Sequence, residues 1–152
     1  MELLRRVASF GTPSKDLREL YFIFVRSILE QSATVWHSSL TQENANDLER
    51  VQKSALRIIL GERYKSYKEG LAQLEIETLA ERREILCLNF ALKCVKNERM
   101  KTMFPVNEKL HSMKTRNEDK FKVQFANTGR LQTSPKIYMQ KLLNENEEKN
   151  QN

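Results

Sequence analysis

The side chains that could bind a metal or act as a nucleophile are few and widely spaced in this sequence. His37, His111, Cys87 and Cys94 carry the donor atoms of a four-ligand zinc site, but neither pair has the short spacing of a zinc finger or knuckle. Nothing favours a Cys–His nucleophile pair over buried thiols. The four glycines are isolated from one another, so the sequence has no phosphate-binding glycine loop. We therefore predict no catalytic residue, no metal site and no cofactor.

Cations recur at regular spacing in the stretch LERVQKSALRIILG, residues 48–61. On a helix, its apolar residues gather in one arc, and Arg50, Lys53 and Arg57 lie on the opposite side. The arc consists of Leu48, Val51, Ala55, Ile58 and Ile59. Two interpretations are open for the cationic side. It is either a contact for nucleic-acid phosphates or the solvated face that most surface helices have.

Aromatic and basic residues alternate in the next stretch, GERYKSYKEG. Arg63 and Lys65 extend the cationic residues of the preceding helix along the chain. Aromatic rings can stack on bases while neighbouring cations bind phosphates, which makes Tyr64 and Tyr67 candidate stacking residues. The alternative, which we favour, is a connection between helices whose tyrosines cover the edge of the core.

Composition and charge bound the class of protein. The length of 152 residues fits one domain, and 30% charged residues with only 4 Gly and 3 Pro favour a helical protein. A net charge of +6 and a pI of about 9.4 favour an anionic partner: nucleic acid, acidic protein or anionic membrane surface. The sequence has no signal peptide and no apolar run long enough to span a bilayer. We expect a soluble intracellular protein, cytoplasmic or nuclear.

Periodicity and helix-end residues predict an all-α fold, a small bundle of about five helices with a poorly ordered basic segment before the last one. We expect the helix beginning after Ser14 to be central to the core through residues that include Phe24 and Ile28. Capping residues are predicted at Ser14, at Thr41, at Ser66 with Glu69, at Thr78 with Glu81, and at Ser134 before Pro135. The predicted helices cover residues 2–9, 15–31, 42–60, a short segment after Ser66, 79–97 and 135–145.

A change in composition divides the chain. Residues 96–122 contain eight Lys or Arg against four Asp or Glu, a local excess of +4, and few apolar residues. We predict a helical bundle over residues 1–98, a basic, extended or partly disordered linker over 99–133, and a C-terminal helix with a frayed tail over 134–152. The linker is a possible second contact for nucleic acid.

Four stretches of the chain also resemble a known family. They are FGTPSKDLRELYFIFVRSILEQSATVWHSSLT, LERVQKSALRIILG, LEIETLAERREILCLNFALKCVKN and LQTSPKIYMQKLLNE, and they occur in this order. In order and spacing they resemble the C-terminal part of reverse transcriptases from jockey-like non-LTR retrotransposons. In that family the segment comprises the helical thumb and the tail that follows it. The resemblance covers nearly the whole chain and is strongest from Phe10 to Val95.

The family's catalytic carboxylates belong to the palm, in a Tyr/Phe-x-Asp-Asp motif that this sequence does not contain. The resemblance therefore implies no polymerase activity for this chain, which we expect to begin within a thumb helix and to end near the natural terminus. It implies instead that the thumb packs along a template–primer duplex and contacts its backbone. Candidate contacts are Arg50, Lys53, Arg57, Arg63 and Lys65, which would bind an RNA–DNA or DNA duplex without regard to its sequence.

Two other functions are open. The chain could be a helical protein-interaction module that uses the broad apolar arc of the 79–97 helix to bind a partner or a second copy of itself. It could also be a relic that folds as its parent did and has no selected function.

Overall fold

The computed structural model describes residues 1–107 and 120–151, and the secondary structure of this part is helical. Its α-helices in chain order are α1 (Glu2–Ser9), α2 (Ser14–Leu20), α3 (Ser27–Glu30), α4 (Ala33–Trp36), α5 (Gln42–Leu60), α6 (Tyr67–Leu74), α7 (Leu79–Lys96), α8 (Gly129–Gln132) and α9 (Pro135–Gln151). The predicted all-α class is confirmed. More helices are present than predicted. The additional helices α4 and α8 have only four residues each, as does α3, and a segment of this length is too short to show a helical period. The closest approach to a strand in the described residues is an isolated antiparallel bridge between Val106 and Phe121.

Three predicted helix starts are confirmed by hydrogen bonds. The Thr41 side chain accepts the Asn44 N–H at 3.2 Å at the start of α5. At the start of α6, the Ser66 hydroxyl accepts the Glu69 N–H at 3.3 Å. Before α7, the Thr78 hydroxyl accepts the Glu81 N–H at 3.2 Å and the Glu81 carboxylate accepts the Thr78 N–H at 3.1 Å. These side chains satisfy N–H groups that have no partner inside the helix.

The predicted cap at Ser14 is wrong. Helix α2 begins at Ser14 itself, and Pro13 is its N-cap, without a side-chain hydrogen bond. The Pro13 carbonyl instead accepts the N–H groups of Asp16 and Leu17, each at 3.1 Å. A π-helical stretch, Tyr21–Arg26, continues from α2 into α3, so that residues 14–30 form one uninterrupted helix.

The chain folds into two compact units. Unit 1 contains residues 1–33 and 40–83, and unit 2 contains residues 34–39 and 84–152. The boundary between them lies within α7. The sequence-based division at residues 98 and 133 was drawn from composition rather than packing, and it stays a prediction. Residues 108–119, the middle of the predicted basic linker, lie outside the described residues.

Unit 1 packs α1, α2, α5 and α6 around one apolar core. Tyr21 belongs to this core, and its hydroxyl donates to Oε1 of the fully buried Gln52 side chain at 2.8 Å. The Gln52 amide in turn donates to the Glu77 carbonyl at 2.8 Å. The core consists of Leu4, Leu17, Tyr21, Ala55, Leu56, Ile59, Leu60, Leu74 and Ile76.

The prediction that Phe24 and Ile28 belong to the core is wrong. The side chains of Leu17 and Tyr21 are buried, but Phe24 is 51% exposed and Ile28 is 69% exposed. The wider turn of the π-helical stretch changes the helical period, so the positions that face the core differ from those of a regular α-helix. After Tyr21, the half-buried residues Phe22 and Val25, rather than Phe24 and Ile28, pack against the core of unit 1.

Unit 2 has a second apolar core, to which the segment after α7 contributes. Phe104 follows the short 3₁₀ helix Lys101–Met103 and is buried, as is Phe121. In the same unit, His37 Nε2 lies 3.1 Å from the Tyr138 hydroxyl, and the Ser38 hydroxyl donates to the Thr133 carbonyl at 2.6 Å. The buried residues of this core are Ala91, Cys94, Phe104, Phe121, Met139 and Leu143.

The last helix is longer than predicted. It continues beyond residue 145 to Gln151, where we predicted a frayed tail. Two contacts with residues 120–121 lie in its C-terminal half, the second of them beyond residue 145. The Asn144 side chain accepts the Phe121 N–H at 2.8 Å and donates to the Phe121 carbonyl at 3.0 Å. One turn further, Glu148 pairs with Lys120, whose ammonium lowers the pKa of that carboxyl. The polar residues of this helix therefore have partners within unit 2.

Among the described residues, no helix is both long enough and apolar enough to cross a membrane.

Candidate nucleic-acid interface

Helix α5 places the three predicted cations on its outer side. Its buried residues are Gln52, Ala55, Leu56, Ile59 and Leu60, which centre on the side of the helix away from Arg50, with Leu60 closest to the cationic side. Arg50 and Arg57 are exposed, and Lys53 is half-buried. Because positions 50, 53 and 57 follow the i, i+3, i+7 spacing, their side chains share one face over two turns of helix.

Each of these cations lies close to a neighbour that orients it without neutralising the face. Arg50 pairs with Asp47 across 2.9 Å, but both side chains are more than half exposed, so the pair is a weak surface ion pair. Lys53 Nζ lies 5.0 Å from the centre of the Tyr67 ring, and Arg57 Cζ lies 5.5 Å from the centre of the Tyr64 ring. Contact with a ring face restrains a long side chain while its charge stays at the surface.

The two tyrosines cover the edge of the core, as the favoured interpretation of GERYKSYKEG predicted. Tyr64 and Tyr67 are half-buried and pack against the core of unit 1. The Tyr67 hydroxyl donates to Glu49 Oε2. Burial raises the pKa of Tyr67, and the hydrogen bond to Glu49 raises it further, so this hydroxyl stays protonated. Because cations already lie over both rings, stacking on bases is not favoured.

Arg63 and Lys65 lie together next to α5. Arg63 ends the 3₁₀ helix Gly61–Arg63, Lys65 follows two residues later, and both are exposed. The two residues line one shallow cleft, which is also lined by Ser14, Leu60, Gln73 and Leu74. Tyr64, which separates them in the chain, contacts Arg57. We refer to the five predicted cations together as the α5 cationic surface: Arg50, Lys53 and Arg57 on α5 itself, and Arg63 and Lys65 in the segment that follows it.

Glu49, the neighbour of Arg50 in the sequence, is occupied away from this surface. Glu49 Oε1 accepts the Ala80 N–H at 2.8 Å at the start of α7, and Glu49 Oε2 accepts the Tyr67 hydroxyl. Both oxygens are thus occupied by donors from α6 and α7. Glu49 and Gln52, which join α5 to neighbouring parts of unit 1, were not identified from the sequence, because an apolar-periodicity argument treats both as solvent-facing residues.

The residues considered for metal binding or nucleophilic chemistry do not come together in the described residues. No group of three or more His, Cys, Asp or Glu there is arranged to hold a metal ion. Cys87 and Cys94 are buried thiols that form no disulfide, and burial raises the pKa of Cys94, which disfavours the reactive thiolate. His37 contacts Tyr138, and His111 lies outside the described residues.

The predicted contact surface on the 79–97 helix stays a prediction. Cys87, Ala91 and Cys94 form its buried stripe, whereas Ile85 and Phe90 are 37% and 40% exposed. Part of the broad apolar arc is therefore used by the protein's own packing, and a smaller part faces outward.

Known proteins do not identify the chain. No protein-family model, no curated protein and no solved structure matches it significantly.

Proposed function

We propose that this protein binds nucleic-acid duplexes through their backbone phosphates, using the α5 cationic surface. The observation that carries the proposal is the position of Arg50, Lys53 and Arg57 on the outer face of a 19-residue helix whose opposite face is buried. Arg50 to Arg57 spans about 10 Å of helix axis, and the same length of duplex presents about six phosphate charges. A rigid row of cations at this scale suits a polyanion better than a single small anion.

The resemblance to a reverse transcriptase thumb supports the same proposal. We propose that the chain corresponds to the thumb and following tail of a non-LTR retrotransposon reverse transcriptase. Without the palm motif we assign it no polymerase activity, and its role would be to hold a template–primer duplex, RNA–DNA or DNA, by its backbone. The buried thiols, which form no disulfide, suit the reducing cytoplasm or nucleus in which such a protein would work.

Contacts to phosphate do not read the base sequence, and this gives a direct test. Two RNA–DNA hybrid duplexes of equal length and unrelated sequence are labelled, and the affinity of the purified chain for each is measured at the same salt concentration. We expect the two affinities to agree within about twofold. A preference of tenfold or more for one duplex would contradict binding through the backbone alone, since sequence is read through base edges or duplex deformation.

A further inference from the structure

A second group of cations lies in unit 1, outside the α5 cationic surface, around the Phe22 ring. Arg26 Cζ lies 4.0 Å from the centre of this ring, and Arg18 Cζ lies 5.1 Å from it. Arg82, in the first turn of α7, lies near Arg26, because both arginines pair with Glu30. We call Arg18, Arg26 and Arg82 the arginine cluster. Its members come from three separate elements: α2, the π-helical stretch and α7.

The arginine cluster contains more positive charge than its carboxylate neutralises. One oxygen, Glu30 Oε1, lies 3.2 Å from Arg26 Nε and 3.4 Å from Arg82 Nε, so a single carboxylate serves two guanidiniums. Arg18 interacts instead with the uncharged Glu75 carbonyl, across 3.4 Å. Glu49 is occupied by the Ala80 N–H and the Tyr67 hydroxyl. Three guanidiniums and one paired carboxylate leave a local charge of +2.

This charge is partly withdrawn from water but still accessible. The side chain of Glu30 is 14% exposed, that of Arg26 is 21% exposed and that of Arg82 is 32% exposed. Like charges repel more strongly where water screens them less. Within the described residues, Arg18 Nε, Arg82 Nε and the acceptor Glu30 Oε1 are shielded from water and make no hydrogen bond of good geometry. The fold therefore holds positive charge together at a cost that a bound anion would offset.

We propose that the arginine cluster is a binding site for a phosphate group. A guanidinium offers five N–H donors in a planar fork that matches the oxygens of a phosphate, and a phosphate dianion would balance the local charge of +2. Contact with the Phe22 ring restrains both Arg18 and Arg26 before the anion arrives, which reduces the entropy lost on binding. The ligand is inorganic phosphate or the terminal phosphate of a nucleic acid. The site does not depend on duplex binding by the α5 cationic surface.

The test is the melting temperature of the whole chain in phosphate and in chloride at equal ionic strength and pH. With inorganic phosphate at ten times its dissociation constant, we expect the melting temperature to rise by about 5 °C. The double variant Arg26→Gln with Arg82→Gln should lose this rise. The control variant Arg50→Gln, on the α5 cationic surface, should keep it. Equal melting temperatures for the wild-type chain in the two salts, up to 100 mM phosphate, would overturn the proposal.

A second variant keeps the test decisive if the double variant does not fold. Among the described residues, Glu30 is the carboxylate that pairs with the arginine cluster. Glu30→Gln removes this charge, so the chain should melt lower in chloride and gain a larger rise from phosphate than the wild type. An unchanged or smaller rise would also count against the site. Oligonucleotides with and without a 5′-phosphate separate the two sources of ligand. If only the phosphorylated oligonucleotide raises the melting temperature, at concentrations where inorganic phosphate has no effect, the ligand is a nucleic-acid end. If the phosphorylated oligonucleotide and inorganic phosphate are equally potent, the ligand is free phosphate.

Discussion

Replacing both Arg50 and Arg57 by glutamate is expected to weaken binding of an RNA–DNA hybrid duplex by about 100-fold or more. Each charge-assisted contact with a phosphate contributes about 1.5 kcal/mol or more, so the loss of two contacts amounts to about 3 kcal/mol. The introduced carboxylates also repel the backbone. Affinity is measured by the anisotropy of a labelled duplex at low salt, where phosphate contacts contribute most.

The same double variant should fold almost as stably as the wild type. Both side chains are exposed, and the Arg50–Asp47 ion pair that is lost lies at the surface. Such pairs contribute about 0–1 kcal/mol, so the change in melting temperature should be small. The matched control is Arg5→Glu with Lys15→Glu, which makes the same change in net charge at two exposed positions outside the α5 cationic surface. If the control loses as much affinity, net charge rather than the face of α5 explains binding.

Replacing Gln52 by leucine is expected to destabilise the protein by roughly 2–5 kcal/mol. Leucine fills a similar volume, so the cost is polar. The substitution removes two hydrogen bonds of 2.8 Å, one from the fully buried Tyr21 hydroxyl and one to the Glu77 carbonyl. Chemical unfolding followed by circular dichroism measures the change. Gln42→Leu, on the exposed first turn of the same helix, should change stability by less than about 0.5 kcal/mol.

A double-mutant cycle identifies the hydrogen bond as the cause. Adding Tyr21→Phe to Gln52→Leu removes the hydroxyl that the first substitution leaves unsatisfied, so the double variant should be more stable than the sum of the two single effects requires. Coupling of about 1 kcal/mol or more is expected for neighbours that share a buried bond. Strict additivity would show that Gln52 acts through packing alone.

Local signals explain which parts of the fold could be predicted from the sequence. The starts of α5, α6 and α7 follow from Thr41, Ser66 and Thr78, because a capping side chain bonds a backbone group only a few residues away. The exposed positions of Arg50 and Arg57 follow from helical spacing alone. These features need no knowledge of the rest of the chain.

Other features depend on contacts between residues far apart in sequence. Beyond the predicted end at residue 145, α9 has a contact at Glu148, which pairs with Lys120, 28 residues away. Gln52 reads as a polar surface position until Tyr21, 31 residues away, supplies its partner. The π-helical stretch likewise changes the helical period without a sequence signal such as glycine or proline, and this places Phe24 and Ile28 outside the core.

The cationic residues show the same division. The α5 cationic surface lies on one helix and the segment that follows it, so spacing along the chain was enough to assemble it. The arginine cluster draws on α2, the π-helical stretch and α7, and its arginines lie at positions 18, 26 and 82. Only the packing of unit 1 places them around one ring and one carboxylate.

The most direct test of duplex binding by phosphate contacts is the affinity of the purified chain for a labelled RNA–DNA hybrid across a salt series. Each contact with a duplex phosphate releases counterions and contributes about −0.9 to the slope of log affinity against log salt concentration. With the five cations of the α5 cationic surface as contacts, we predict a slope of about −4.5. A slope near zero, or no binding at low salt by a chain shown to be folded, would contradict the account and leave this surface as a solvated helix face.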